Sequence, residues 1–211
     1  KFTTTLDKME QKWKSYLFQI CFGLAVAQKH FDFTHNDLHS NNIMFEKTDK
    51  PFLYYRIDRK IYRIPTYGVV LKIIDYGRAI YSVNGFRYFN DIFSYHSEAG
   101  EQYSYPYDEE DLMDEKVEPN PSFDLSRLAV SILEDMYPPG VPQTELYEMV
   151  KKWSLDHKGR YVGRFDDFEL YKQIARYVHH AVPINQLRKP IFDIFTIVRD
   201  KIPDKDWVYI Y

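Results

Sequence analysis

The chain has 211 residues, 45% of them apolar and 18% aromatic, with a formal net charge of −3. That length builds one sizeable core or two small ones. The charge argues against nucleic-acid binding, which favours a basic surface, and no apolar run approaches the ~20 residues that span a bilayer, so no membrane partner is expected.

Residues 4 to about 30 place Leu6, Met9, Trp13, Leu17, Ile20, Leu24 and Ala27 at steps of three and four, one face of a long helix, with Lys8, Lys12 and Lys14 elsewhere. Cys21 falls beside that stripe and reads as a small core residue; with no basic neighbour, a reactive thiolate is not expected. As the only cysteine it permits no internal disulfide, which points to an intracellular, reducing compartment. Short strands follow. Residues 42–45 enter a sheet, 53–57 and 61–64 flank Asp58-Arg59-Lys60 as a hairpin, and 69–74 form a β-branched strand ending at Asp75. Pro51 and Pro65-Thr66-Tyr67-Gly68 mark the breaks.

Residues 78–121 carry no clear periodicity, and 91–120 hold ten acidic residues against one basic, Lys116. Such a connection is either functional or irregular. Ser122 is then read as the cap of a helix with Leu125, Leu128, Ala129, Ile132 and Met136 inward, ended by Pro138-Pro139-Gly140. Further helices are expected around 144–155, 165–180 and 184–198. The order predicts an α+β fold, mainly α, with one small β unit and no internal repeat.

The chemistry sits in Thr34-His35-Asn36-Asp37-Leu38-His39-Ser40-Asn41-Asn42-Ile43-Met44 and in Leu71-Lys72-Ile73-Ile74-Asp75-Tyr76-Gly77. An Asp, an Asn five residues on and a second Asp after intervening strands form the layout of a phosphoryl-transfer site. Asp37 would accept or orient the attacking hydroxyl, and Asn42 and Asp75 would offer hard oxygens to magnesium. The bland alternative is a turn capped by Asp37 and Asn42 and a strand end at Asp75. His35 and His39 stand four apart, a zinc spacing on a helix, but that motif needs Glu where Asn36 stands.

On these residues the chain resembles eukaryotic-type protein kinases: residues 16–42 look like their long helix and catalytic loop, and Asp75-Tyr76-Gly77 like their metal-binding Asp-Phe-Gly. It is most similar to haspin-like kinases and to serine/threonine kinases of large DNA viruses. The likeness rests on His39 in place of Lys, on Tyr76, on the extra hairpin, and on Phe123-Asp124-Leu125-Ser126-Arg127-Leu128. It covers about residues 6–136.

The resemblance implies a C-terminal kinase lobe over residues 1–211, with ATP and Mg²⁺ (or Mn²⁺) as cofactors and a protein substrate phosphorylated on Ser or Thr. If viral, it would act in host cytoplasm, nucleus or virion. It also implies that Met44 lies under the adenine and that His35 packs beneath the loop. Tyr76, followed by Gly77, would stack in a column coupling two lobes. Asp124 would accept hydrogen bonds from the loop backbone, unless it simply starts a helix.

The chain departs from the kinase pattern in several places. Asn36 replaces the usual Arg, so no activation by loop phosphorylation is expected. There is no Ala-Pro-Glu, and Val117-Glu118-Pro119 is a poor substitute. His39 is either a cation assisting the phosphate or a neutral loop histidine. None of the eight glycines forms Gly-x-Gly-x-x-Gly, and the chain starts at Lys1 rather than Met. It is therefore expected to be part of a longer protein whose N-terminal lobe supplies the phosphate grip, and to be nearly inactive alone. The acidic stretch is either a docking surface for a basic peptide or a solvated loop. A small-molecule kinase of the aminoglycoside-phosphotransferase type and a non-catalytic pseudokinase module are the rival readings.

Overall fold

The computed structural model describes residues 5–94, 97–103, 118–136, 143–198, 202 and 208–211. Helix α1 (Thr5–Phe31) leads. The side chain of Leu6 lies outside the described residues, and Met9, placed on the inward stripe by its spacing, is exposed. Residues 15–22 are buried on every side. The middle of α1 is therefore a central rod rather than a half-covered surface helix, as its run of Tyr16, Leu17, Phe18, Ile20, Cys21 and Phe22 requires.

Strands β1 (Ile43–Lys47) and β4 (Val69–Ile73) pair antiparallel, with Ile43 opposite Ile73. Between them lies the expected hairpin, β2 (Phe52–Ile57) with β3 (Lys60–Pro65), in register Tyr55 to Tyr62. Its inner aromatics close on α1: Phe18 stands 5.3 Å from Tyr55 and 5.0 Å from Tyr62, centroid to centroid. Gln19 Oε1 accepts from Leu71 N at 3.1 Å, fixing β4 to the same helix.

The stretch after Arg78 is more regular than its sequence suggested. Strands β5 (Tyr81–Val83) and β6 (Phe86–Tyr88) pair around Asn84 and Gly85, at φ 53° and 81°. Asn-Gly is the dipeptide that tolerates two left-handed residues in a tight turn. A short 3-10 turn at Asp91–Phe93 follows, and Ile80, Phe93 and Ala99 form a small second cluster. Asp108, Glu109, Glu110, Asp111, Lys116 and Val117 lie outside the described residues, as do Pro138-Pro139-Gly140 and the Met136 side chain.

Helix α2 (Phe123–Met136) buries Phe123, Leu125, Leu128, Ala129 and Ile132. Its entry differs from the expected Ser122 cap. Among the described residues the Ser122 hydroxyl finds no hydrogen-bond partner, and Asn120 Oδ1 instead accepts from Ser122 N at 2.9 Å. Helices α3 (Glu145–Trp153), capped by the Thr144 hydroxyl on Tyr147 N at 3.2 Å, and α4 (Asp167–Tyr177) stand where expected.

The helix expected over residues 184–198 does not form as one piece. Helix α5 (Pro183–Leu187) stops, Lys189 is extended, and a 3-10 segment (Pro190–Phe195) takes over. Pro190 has no N–H and disfavours helical geometry at Lys189. Strand β7 (Thr196–Ile197) then pairs with β3 and β8 (Val208–Ile210) runs parallel to β2, giving the sheet order β7-β3-β2-β8. The result is a helix-rich, mixed α/β fold. Among the described residues no helix is long and apolar enough to cross a membrane.

Candidate active site

Two loops, residues 35–42 and 74–79, lie side by side because the backbone pairs at both of their ends. At one end Thr34 and Ile80 exchange two hydrogen bonds of 2.9 Å. At the other, the β1–β4 ladder runs out with Ile74 N donating to Asn42 O at 3.0 Å. Two side chains cross the gap: His35 Nε2 contacts Ile74 O at 2.9 Å, and Asn36 Nδ2 donates to Arg78 O at 3.0 Å. Antiparallel pairing of short strands thus brings Asn42 and Asp75 to one rim although they are far apart in the chain.

Beneath the first loop lies Asp124. It is fully buried, and its carboxylate accepts from His35 N at 2.9 Å and Asn36 N at 3.0 Å. Burial pushes its carboxyl above the usual range, opposed by His35 and by those two amides. His35 Nδ1 accepts from Asp37 N at 3.3 Å, so Nε2 carries the proton donated to Ile74 O. Both ring nitrogens are thus engaged, and the imidazole braces one loop against the other.

Asn36 is buried at φ 64°, a left-handed conformation that Asn tolerates. All of its amide is engaged. Nδ2 donates to Thr34 O and Arg78 O, while Oδ1 accepts from Gln102 Nε2 at 3.2 Å and from the Tyr103 hydroxyl. A neutral amide here ties the loop to residues 102–103 without any charge.

Asp37 is partly open, with side-chain exposure of 24%. Its carbonyl accepts from Asn42 Nδ2 at 2.9 Å, which orients that amide and leaves its oxygen as the donor for a cation. His39 Nε2 faces the same Asn42 Nδ2 at 3.3 Å and Asp37 Oδ2 at 3.9 Å. Both readings of His39, the assisting cation and the loop histidine, keep this place beside Asn42 and Asp37. Ser40 anchors the far end of the loop, its N–H to Ser131 Oγ at 3.0 Å and its hydroxyl to Asp135 Oδ2 at 2.6 Å.

Asp75 stands exposed at φ 64°, with Oδ1 near Gly77 N at 3.4 Å. Tyr76 is 56% exposed; its ring lies 5.6 Å from His35 and 6.0 Å from Phe33, and its hydroxyl donates to Ile73 O at 2.6 Å. Met44 is exposed on β1 opposite Lys72. Among the described residues no three His, Cys, Asp or Glu side chains converge as a metal cluster. In the acidic stretch, Glu98 pairs with Arg78 and Glu101 with Lys172, so two of its charges are already engaged inside the molecule.

The spacing of the motifs did not reveal Tyr171. This residue of α4 donates its hydroxyl to Asp37 Oδ1 and accepts from Arg127 Nε at 3.3 Å. Burial and the bond to Asp37 push its phenol above the usual value. Nothing local in the sequence couples α4 to the first loop.

No family model matches the chain. Haspin of Mus musculus is 40% identical over 79 residues, 37% of this chain and 10% of that protein. A haspin homolog of Drosophila melanogaster is 36% identical over 76 residues, 36% of this chain and 13% of that protein. A candidate serine/threonine-protein kinase of Acanthamoeba polyphaga mimivirus is 37% identical over 82 residues, 36% of this chain and 17% of that protein. The matched stretch therefore spans less than a fifth of each of these relatives. By sequence the chain carries a kinase-like domain similar to haspin and to the mimivirus protein.

Proposed function

We propose that the chain is the C-terminal lobe of a kinase that moves the γ-phosphoryl group of ATP to a Ser or Thr hydroxyl of a protein. The clamping of residues 35–42 against 74–79, from Thr34–Ile80 at one end to Asn42–Ile74 at the other, carries this reading. It sets one carboxylate, Asp37, beside an amide and a carboxylate, Asn42 and Asp75, on a rigid frame, as transfer by positioning demands.

In this reading Asp37 orients the acceptor hydroxyl. Asn42 and Asp75 would hold Mg²⁺ or Mn²⁺, and the donor set fits. The Asn42 nitrogen is engaged by the Asp37 carbonyl and Asp75 faces outward, so an amide oxygen and a carboxylate suit an ion that completes its shell with phosphate and water. Such an ion neutralises phosphate charge as it develops. Met44, exposed beside the rim, is the assigned adenine contact, and His35, Tyr76, Gly77 and Asp124 support the loops.

The test is ATP-dependent phosphorylation of a Ser/Thr peptide library by the full-length protein, against Asp37→Ala. A fall in turnover of roughly 100-fold or more is expected. Equal turnover in the two proteins would refute the assignment. Residues 1–211 alone are expected to turn over little, since none of their eight glycines makes a phosphate-gripping loop.

A further inference from the structure

We propose that Tyr171 is a positioning residue that holds the Asp37 carboxylate in one orientation for the acceptor hydroxyl. The proposal deepens the phosphotransferase reading and rests on it.

A carboxylate on a loop has two equivalent oxygens and a broad terminal torsion. Here the two differ. Oδ1 takes the Tyr171 hydroxyl, while Oδ2 lies on the His39 side, 3.9 Å from Nε2. Rotation of Asp37 would break a hydrogen bond to a charged acceptor, the stronger kind. Oδ2 is accordingly the oxygen presented to the acceptor hydroxyl.

The phenol is itself held. Its ring packs 5.8 Å from Phe123 of α2 and stacks at 5.9 Å on Phe168 of its own helix. The Arg127 and Arg78 guanidiniums sit 5.5 and 5.7 Å from its centroid. A ring gripped by two aromatics and two cations is a fixed post rather than a swinging plug. Behind it, Arg127 Nε donates to the phenol oxygen at 3.3 Å. The relay Arg127 to Tyr171 to Asp37 lets each bond polarise the next. It also makes α4, 134 residues downstream of the loop, part of the site's frame.

The test uses full-length protein and Tyr171→Phe, which keeps the ring and removes only the hydroxyl. A drop in kcat of roughly 10- to 100-fold is expected, from loss of a hydrogen bond to a charged group, with KM for ATP unchanged and the fold retained. In an Asp37→Asn background, where an amide oxygen still accepts the hydroxyl but no carboxylate is left to aim, the same change should cost nothing further. Arg127→Gln, which leaves the tyrosine in place, should lower kcat in the same direction, and decides the matter if Tyr171→Phe does not fold. Normal kcat in Tyr171→Phe with an inactive Asp37→Asn, or equal losses in both backgrounds, overturns the positioning role alone. Full turnover in Asp37→Asn overturns the phosphotransferase reading, and this inference falls with it.

Discussion

Removing Asp124 tests what holds the first loop. Its carboxylate satisfies two buried amides, His35 N at 2.9 Å and Asn36 N at 3.0 Å. Asp124→Ala strands both, at about 1–3 kcal/mol each, or about 2–6 kcal/mol together. Part is returned because burial disfavours the charged carboxyl, so the lower half of that range is expected. For a chain of this size that is a fall in melting temperature of about 4–16 °C.

Asp124→Asn keeps one acceptor and should lose about half as much. Circular dichroism melts at pH 7, with exposed Asp49→Ala as control, provide the measurement. The pH dependence has a definite sign. A carboxyl raised in the folded state favours folding fully below its unfolded pKa, near 3.9, and that contribution is lost as pH rises through the folded value. The deficit of Asp124→Asn should therefore shrink from pH 4 upward. An Asp124→Ala melt matching the Asp49→Ala control would refute the reasoning, and so would a deficit that grows with pH.

Three other outcomes are expected. Asn36→Arg, which installs the residue usual in kinases, should destabilise the fold by about 3–5 kcal/mol in urea titrations, since an Arg offers Gln102 and Tyr103 no acceptor and buries an unpaired charge; undiminished stability would count against the amide hub. Burial pushes the Cys21 thiol far up, with only a small opposing effect from Lys189, so iodoacetamide should label it in urea and not in the folded protein; mass spectrometry reads the difference. Burial raises the Asp156 carboxyl, but the Arg160 and Lys158 amides and the Arg160 guanidinium outweigh it and bring the value to about 2. Its stabilisation should hold above pH 4 and disappear as pH falls toward 2, so acid melts of Asp156→Ala and the parent should converge there.

What could be read from the sequence was local. Strands β1 and β4 and the hairpin between them follow from Ile, Val, Leu and Tyr runs bounded by proline, and Asp37, Asn42 and Asp75 were singled out by the short motifs around them. Two local signals were passed over: Asn84-Gly85, which closes the β5–β6 hairpin, and Lys189-Pro190, which breaks the last helix. The rest had no local trace. That Asn36 would be held by Gln102 and Tyr103, that the Ser122 hydroxyl would find no partner among the described residues, and that β8 would lie along β2 all depend on which distant surfaces meet. Helical spacing likewise told which face of α1 is apolar, but not that residues 15–22 would be enclosed on every side.

The bond from Tyr171 to Asp37 also has a consequence in time. A ribosome adding roughly 5–20 residues each second emits Asp37 well before Tyr171, 134 residues later, so the loop waits roughly 7–27 s for its post. Once Asp75 has followed, the nascent chain carries the motif in full yet lacks the contact that would aim it. The contact that aims Asp37 can form only once α4 has been made.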